Sequence, residues 1–193
     1  YQKVLAAYNG EGAAIGWQDY LNNPNSAKPH VLIKKRNTNR FNSKGKRIKQ
    51  YVWRTVKVTP NYYHVEPAAG INASINDMSQ WLIANLGYRP DILSKALLNE
   101  LTTPKIKTKK DLRRLYWREH LTDAHYGYGW RIYQFAGHKL IYHSGWVSGF
   151  RADIAYAPDL KIGFAILLNA ESNNINKITT HFWQKVFETL KDG

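Results

Sequence analysis

Gly127-Tyr128-Gly129-Trp130-Arg131-Ile132-Tyr133-Gln134-Phe135-Ala136-Gly137-His138-Lys139-Leu140-Ile141-Tyr142-His143-Ser144-Gly145 decides how this chain is read. Apolar and aromatic residues run in two blocks, 127–135 and 139–143, with Ala136-Gly137 between them. Two more blocks follow, 150–157 and 161–168, folded back around Pro158-Asp159. Short apolar runs with turn residues at each junction predict an antiparallel meander of four strands. The second block ends in His143-Ser144-Gly145, which puts an imidazole, a hydroxyl and an unhindered backbone amide at one strand end. An acyl-transfer site needs a proton carrier, a hydrogen-bond donor and an oxyanion-binding amide at one place.

Outward from the meander the pattern changes to helices. Ser74 followed by Asp77 approximates a capping box, Ile75, Met78, Trp81, Leu82 and Leu86 recur at helical spacing, and Gly87 is a stop. A second helix is expected over 91–102, ending before Pro104, and a third over 109–121. Ile175, Ile178, Phe182, Val186 and Leu190 place a closing helix over 173–190. Residues 1–8 read as helix, Asn9-Gly10-Glu11-Gly12 as its break, 16–50 as mostly loop and 51–58 as a strand ended by Pro60. Helices grouped apart from an antiparallel sheet make the fold class α+β. The division is a helical, loop-rich part over 1–125 and a strand-rich part with a closing helix over 126–193.

The 193 residues, 44% of them apolar, suffice for one real core. No apolar run approaches the length of a membrane span. With no cysteine there are no disulfides or thiolate metal sites, and the seven histidines (30, 64, 120, 125, 138, 143, 181) show no metal-binding spacing. No phosphate loop or dinucleotide fingerprint is present, so no cofactor is expected. The net charge of +14 is unevenly placed: eleven cations and no acid lie between Lys28 and Lys57. Such a tract attracts anions. No nucleic-acid motif accompanies it, so nucleic acid is not the expected partner. A non-catalytic basic module holding some other anionic partner stands as the alternative functional reading.

Four segments occur in a telling order: Pro67-Ala68-Ala69-Gly70-Ile71-Asn72-Ala73-Ser74 with Asp77-Met78-Ser79-Gln80-Trp81-Leu82; Tyr126-Gly127-Tyr128-Gly129-Trp130; His143-Ser144-Gly145 with Gly149-Phe150; and Tyr156-Ala157-Pro158-Asp159 leading to an apolar run that ends in Asn169. Together they resemble the C-terminal part of the serine hydrolases that group class C β-lactamases with penicillin-binding proteins. The resemblance implies the C-terminal part of the β-lactamase/DD-peptidase fold. It implies that His143 carries charge or relays a proton, that Ser144 hydrogen-bonds substrate, and that the N–H of Trp146, beside Gly145, serves an oxyanion hole. It also implies a Ser-x-x-Lys nucleophile and a Tyr-x-Asn or Ser-x-Asn loop. Here Ser43-Lys44-Gly45-Lys46 lies in a polar basic tract, and Tyr20-Leu21-Asn22 and Ser172-Asn173-Asn174 fall in the wrong order. Both family motifs are therefore expected upstream of Tyr1, in a missing N-terminal part of the same protein. The complete enzyme would take a β-lactam, peptide or ester, the fragment alone would be inactive, and the likeness implies a bacterial, exported or periplasmic protein.

Overall fold

The computed structural model describes residues 13–35 and 40–190, so the expected helix over 1–8 and its break at 9–12 lie outside the described residues. In chain order the elements are β1 (Ala14–Ile15), α1 (Trp17–Asn22), β2 (His30–Lys34), β3 (Tyr51–Thr55), α2 (Glu66–Ala69), β4 (Ile71–Asn72), α3 (Ile75–Asn85), α4 (Lys95–Leu101), β5 (Ile106–Lys107), β6 (Leu121–Tyr126), β7 (Arg131–Phe135), β8 (His138–Val147), β9 (Phe150–Ala157), β10 (Ile162–Leu168) and α5 (Asn174–Thr189). Single 3-10 turns lie at Pro60–Tyr63 and Asp111–Arg113.

The main sheet is antiparallel in the order β10-β9-β8-β7-β6-β5. Helices cover both of its faces, which explains why its strands are apolar without strict alternation. On one face Ile132, Ile141, Ile154 and Tyr156 pack with Leu82 of α3 and Leu86 at its C-cap. On the other, Tyr133, Phe135, Leu140, Tyr142 and Ala155 pack with Trp183 and Phe187 of α5, and with Trp117. Successive residues of each strand thus serve opposite cores. Gly163 lets α3 lie close on β10, since a Cβ there would sit 3.2 Å from the Leu82 side chain.

The caps of α3 form as the sequence indicates. The Asp77 N–H donates to Ser74 Oγ, the Ser74 N–H donates to the Asp77 carboxylate at 2.7 Å, and Gly87 follows with φ 87°.

Other expectations are corrected. The meander has six strands, because β5 and β6 precede the expected four. The helix expected over 109–121 shrinks to the Asp111–Arg113 turn. Tyr116 takes a φ of 70°, which a continuing helix forbids, and β6 begins at Leu121. The strand expected from 127 starts at Arg131, while β8 runs past 143 to Val147. The supposed loop 16–50 holds α1 and β2, and its hairpin partner β3 ends at Thr55 rather than 58. The second helix spans 95–101. The buried stripe of α5 runs through Ile175, Thr179, Trp183 and Phe187, while Ile178 and Leu190 face solvent. Among the described residues no helix is long and apolar enough to cross a membrane.

Candidate functional site

β8 outruns its neighbour. It pairs with β7 only as far as Tyr142, opposite Arg131, yet stays paired with β9 through Val147. Among the described residues, 143–147 therefore have one paired edge and one open edge, and every second residue there turns its N–H and C=O to the open side. The turn before β7 causes this. The Gly127 N–H donates to the Trp130 carbonyl at 2.8 Å, and a Cβ at Gly127 would lie 2.9 Å from the Leu101 carbonyl oxygen. Gly129 follows with φ 79°, so the chain turns here and cannot extend β7 alongside His143.

That turn also fixes His143. Its Nδ1 lies 2.5 Å from the Gly129 carbonyl oxygen, and the Trp130 ring meets it edge-on at 6.2 Å. A carbonyl only accepts, so Nδ1 carries the proton and Nε2 is left to accept or carry a second one.

Strand parity separates the other expected residues. Gly145 lies on the strand face of His143 and Ile141, whereas Ser144 and Trp146 share the face of Tyr142. Ser144 is half-buried opposite Asp153. Trp146 is exposed, with the Arg151 guanidinium 5.1 Å from its ring centroid.

A cleft of about 1030 Å³ opens against this end of β8, with Tyr20, Tyr63, Asn72, Asp77, Gly145 and Arg151 among its walls. Of the four expected site residues only Gly145 lines it; His143, Ser144 and Trp146 are not among its walls. A Cβ at Gly145 would meet the Ala152 Cβ at 3.9 Å, an ordinary contact, so a side chain can be added there without a clash at its first atom.

The polar groups of the cleft are largely committed to one another. Tyr63 donates to Asn72 Oδ1 at 2.8 Å, Asn72 Nδ2 donates to the Gly16 carbonyl at 3.1 Å, and Asp77 is held by the α3 cap. Burial pushes the phenols of Tyr20 and Tyr63 up, so both stay protonated at neutral pH. Ser43 sits in an exposed turn where Asn42 Oδ1 accepts the N–H groups of Lys44 and Lys46. That turn is no helix start, so the Ser-x-x-Lys spacing there does not present Ser43 to Lys46 on one helical face.

A latch ties the base of the β2–β3 hairpin to the β8–β9 turn. The His30 N–H donates to the Gly149 carbonyl at 3.1 Å, and the Gly149 N–H donates to Glu171 Oε1 at 2.7 Å. The His30 ring donates from Nδ1 to the Asn169 carbonyl at 2.9 Å and bonds Thr55 Oγ1 through Nε2 at 3.2 Å. Gly149 has φ 77°, and a Cβ there would meet the Pro29 Cβ at 2.3 Å, so only glycine fits the latch.

Behind β8, Asp153 is buried and accepts a hydrogen bond from Thr179 Oγ1 of α5 at 2.7 Å. Burial raises its carboxyl above the ordinary range, against the smaller pull of Thr179, Tyr142, Arg114 and Arg151. A raised folded value means that its contribution to stability is full below the unfolded value and is lost as pH rises through the folded one. A side-chain amide in its place cannot titrate. Asp153→Asn is therefore expected to gain stability relative to the parent chain as pH rises from acid to neutral, checked by urea midpoints of both proteins at each pH. A pH-independent difference would contradict the buried-carboxyl account.

Arg151 and Asn72 are cleft residues that the sequence reading did not single out. Arg151 carried one signal: it is a cation inside an apolar strand, facing Trp146 in register.

The Beta-lactamase family model matches residues 8–182. The protein called Unguisins hydrolase ungD' of Aspergillus campestris (strain IBT 28561) is 27% identical over 112 residues, which is 58% of this chain and 20% of that protein. Among solved structures, the octameric penicillin-binding protein homologue from Pyrococcus abyssi superposes with a TM-score of 0.63 at 24% identity, over 88% of this chain and 32% of that one. A penicillin binding protein from Bacillus halodurans gives 0.60 at 18% identity, over 94% and 47%. Both structures share the fold, and the chain spans less than half the length of each of these three proteins.

Proposed function

The chain belongs to the β-lactamase family, and on that premise we propose that it builds one wall of the acyl-transfer cleft of a serine hydrolase acting on a β-lactam, peptide or ester. The observation that carries this reading is the open edge of β8 at 143–147, beside a cleft that Gly145 leaves unfilled. In an antiparallel sheet such an edge offers backbone N–H groups fixed before substrate arrives. A fixed donor stabilises the oxyanion of a tetrahedral intermediate without reorganisation at the moment of reaction.

We assign that donor to the N–H of Trp146 by likeness to the family. The second donor is the amide of the nucleophile itself. His143 holds its Nδ1 proton on Gly129 and offers Nε2 for proton relay. Ser144 is assigned to substrate binding by the same likeness, although its strand face directs it away from Gly145. Arg151 also lines the cleft, on the strand face of Ser144 and Trp146, where its guanidinium donates to Asn173 Oδ1 at 3.3 Å.

The serine and its base come, in this reading, from outside these 193 residues. Attack on the carbonyl, release of the leaving group and hydrolysis of the acyl ester all require that serine, so this chain supplies binding and polarisation alone. The test is labelling with a fluorescent penicillin and turnover of a p-nitrophenyl ester. The expected result is no labelling of this chain, and labelling or turnover by a longer protein that joins it to a Ser-x-x-Lys segment. Labelling of a serine within these residues would overturn the assignment of the nucleophile. Inertness of the longer protein toward both probes would overturn the enzyme reading.

A further inference from the structure

We propose that the β2–β3 hairpin is a peripheral docking arm for an anionic lipid surface. The hairpin stands on the latch described above and projects away from it. Register places Lys34 beside Tyr51 and Leu32 beside Trp53 on one face, with Ile33 beside Val52 on the other. Leu32, Tyr51 and Trp53 are 49%, 54% and 47% exposed. Farther out, the arm continues through the Phe41–Arg47 bridge and the turn at Asn42, with Phe41 exposed and the Arg47 guanidinium 5.8 Å from its ring centroid.

Charge and apolar surface coincide on this arm. Lys34, Lys35, Arg40, Lys44, Lys46, Arg47, Lys49 and Arg54 all belong to it, and the sequence has no acid between Asp19 and Glu66. Among the described residues no carboxylate forms an ion pair with any of these cations; the ion pairs present lie at residues 89–188. The arm therefore carries uncompensated positive charge alongside an aliphatic and aromatic face that nothing else among the described residues covers.

The combination selects the partner. A soluble polyanion neutralises the lysines and arginines but gives the face of Leu32, Tyr51 and Trp53 no apolar phase to enter. A bilayer with anionic headgroups satisfies both. Cations meet its negative surface potential, tryptophan and tyrosine settle at the headgroup level, and aliphatic side chains reach the acyl boundary. The latch joins the arm's base to the β8–β9 turn, so docking would hold the cleft at the membrane surface. This inference is independent of the enzyme reading, because it concerns residues outside the cleft wall of β8.

Co-sedimentation of the whole chain with phosphatidylcholine vesicles, with and without phosphatidylglycerol, tests it. Binding is expected only to the anionic vesicles. Lys34→Gln with Lys35→Gln should weaken it about tenfold or more. Leu32→Ser with Trp53→Ser should weaken it comparably, with circular dichroism unchanged because both side chains are exposed. No binding to anionic vesicles at low salt would overturn the proposal. Vesicle binding that ignores the Leu32 and Trp53 changes would also overturn it, as would equal binding to a soluble polyanion such as DNA. Those outcomes would make the arm a simple polyelectrolyte site.

Discussion

Replacing Gly145 by leucine is expected to lower acyl transfer by the longer hydrolase proposed above about 100-fold or more, with the thermal unfolding midpoint unchanged. The two halves of this expectation come from one geometry. Gly145 sits in β8 outside the left-handed region, and a Cβ there would make only ordinary contact, 3.9 Å from the Ala152 Cβ. A side chain there costs the fold little, because a strand accepts leucine more readily than glycine. The same side chain would occupy the cleft beside the open strand edge. A carbonyl displaced by an ångström from its oxyanion donors loses most of their benefit. The measurement is kcat/KM for a p-nitrophenyl ester, paired with thermal melting. Activity within a few-fold of the parent would remove Gly145 from the cleft. A large fall in melting temperature would instead show that the position is structural.

Trp117→Ala is expected to cost about 3–5 kcal/mol of stability, a large share of the roughly 5–15 kcal/mol available to a domain. Trp117 is fully buried, though it lies outside the regular elements, between the Asp111–Arg113 turn and β6. Its ring meets Tyr133 at 5.3 Å, Phe135 at 6.1 Å and Tyr142 at 4.4 Å, and the Arg114 guanidinium lies 5.2 Å from its centroid. Removing the indole opens a void under aromatic side chains of β7 and β8 that cannot all collapse into it. Tyr142 immediately precedes His143, so the loss falls directly on the strand that bears the site. Urea unfolding measures it. A change below about 1 kcal/mol would mean that this aromatic cluster is not the core it resembles.

The sequence made the central strands and the α3 caps legible because their signals are local. Runs such as Leu140-Ile141-Tyr142 lie between turn residues, and Ser74, Asp77 and Gly87 act within one helical turn of where they sit. β6 stayed hidden for a physical reason. Thr122, Asp123 and His125 dilute its apolar content, and a register shift between Leu121 and Asp123 breaks the two-residue period. The segment before it offers Leu112 and Leu115 at helical spacing, but the positive φ of Tyr116 is a tertiary choice, made so that Trp117 can be buried. β2 was lost among prolines and lysines, since a hairpin with both faces partly exposed lacks a buried stripe to reveal it. Beside the cleft, the position of Gly145 near the end of β8 could be read from the strand pattern. The register that brings Arg151 to Trp146 is set by the two-residue turn Ser148-Gly149, and where the open edge begins depends on where β7 stops, which Gly127 packed against α4 decides.

The central claim is that the free edge of β8 at 143–147 faces the reacting carbonyl. The direct measurement is a structure of the complete hydrolase trapped as a stable acyl-enzyme. The account predicts the acyl carbonyl oxygen at hydrogen-bond distance from the Trp146 N–H, with Gly145 beneath the acyl group and His143 Nδ1 still on the Gly129 carbonyl. An acyl group bound elsewhere, with the 143–147 edge paired to another strand or bare, would contradict it.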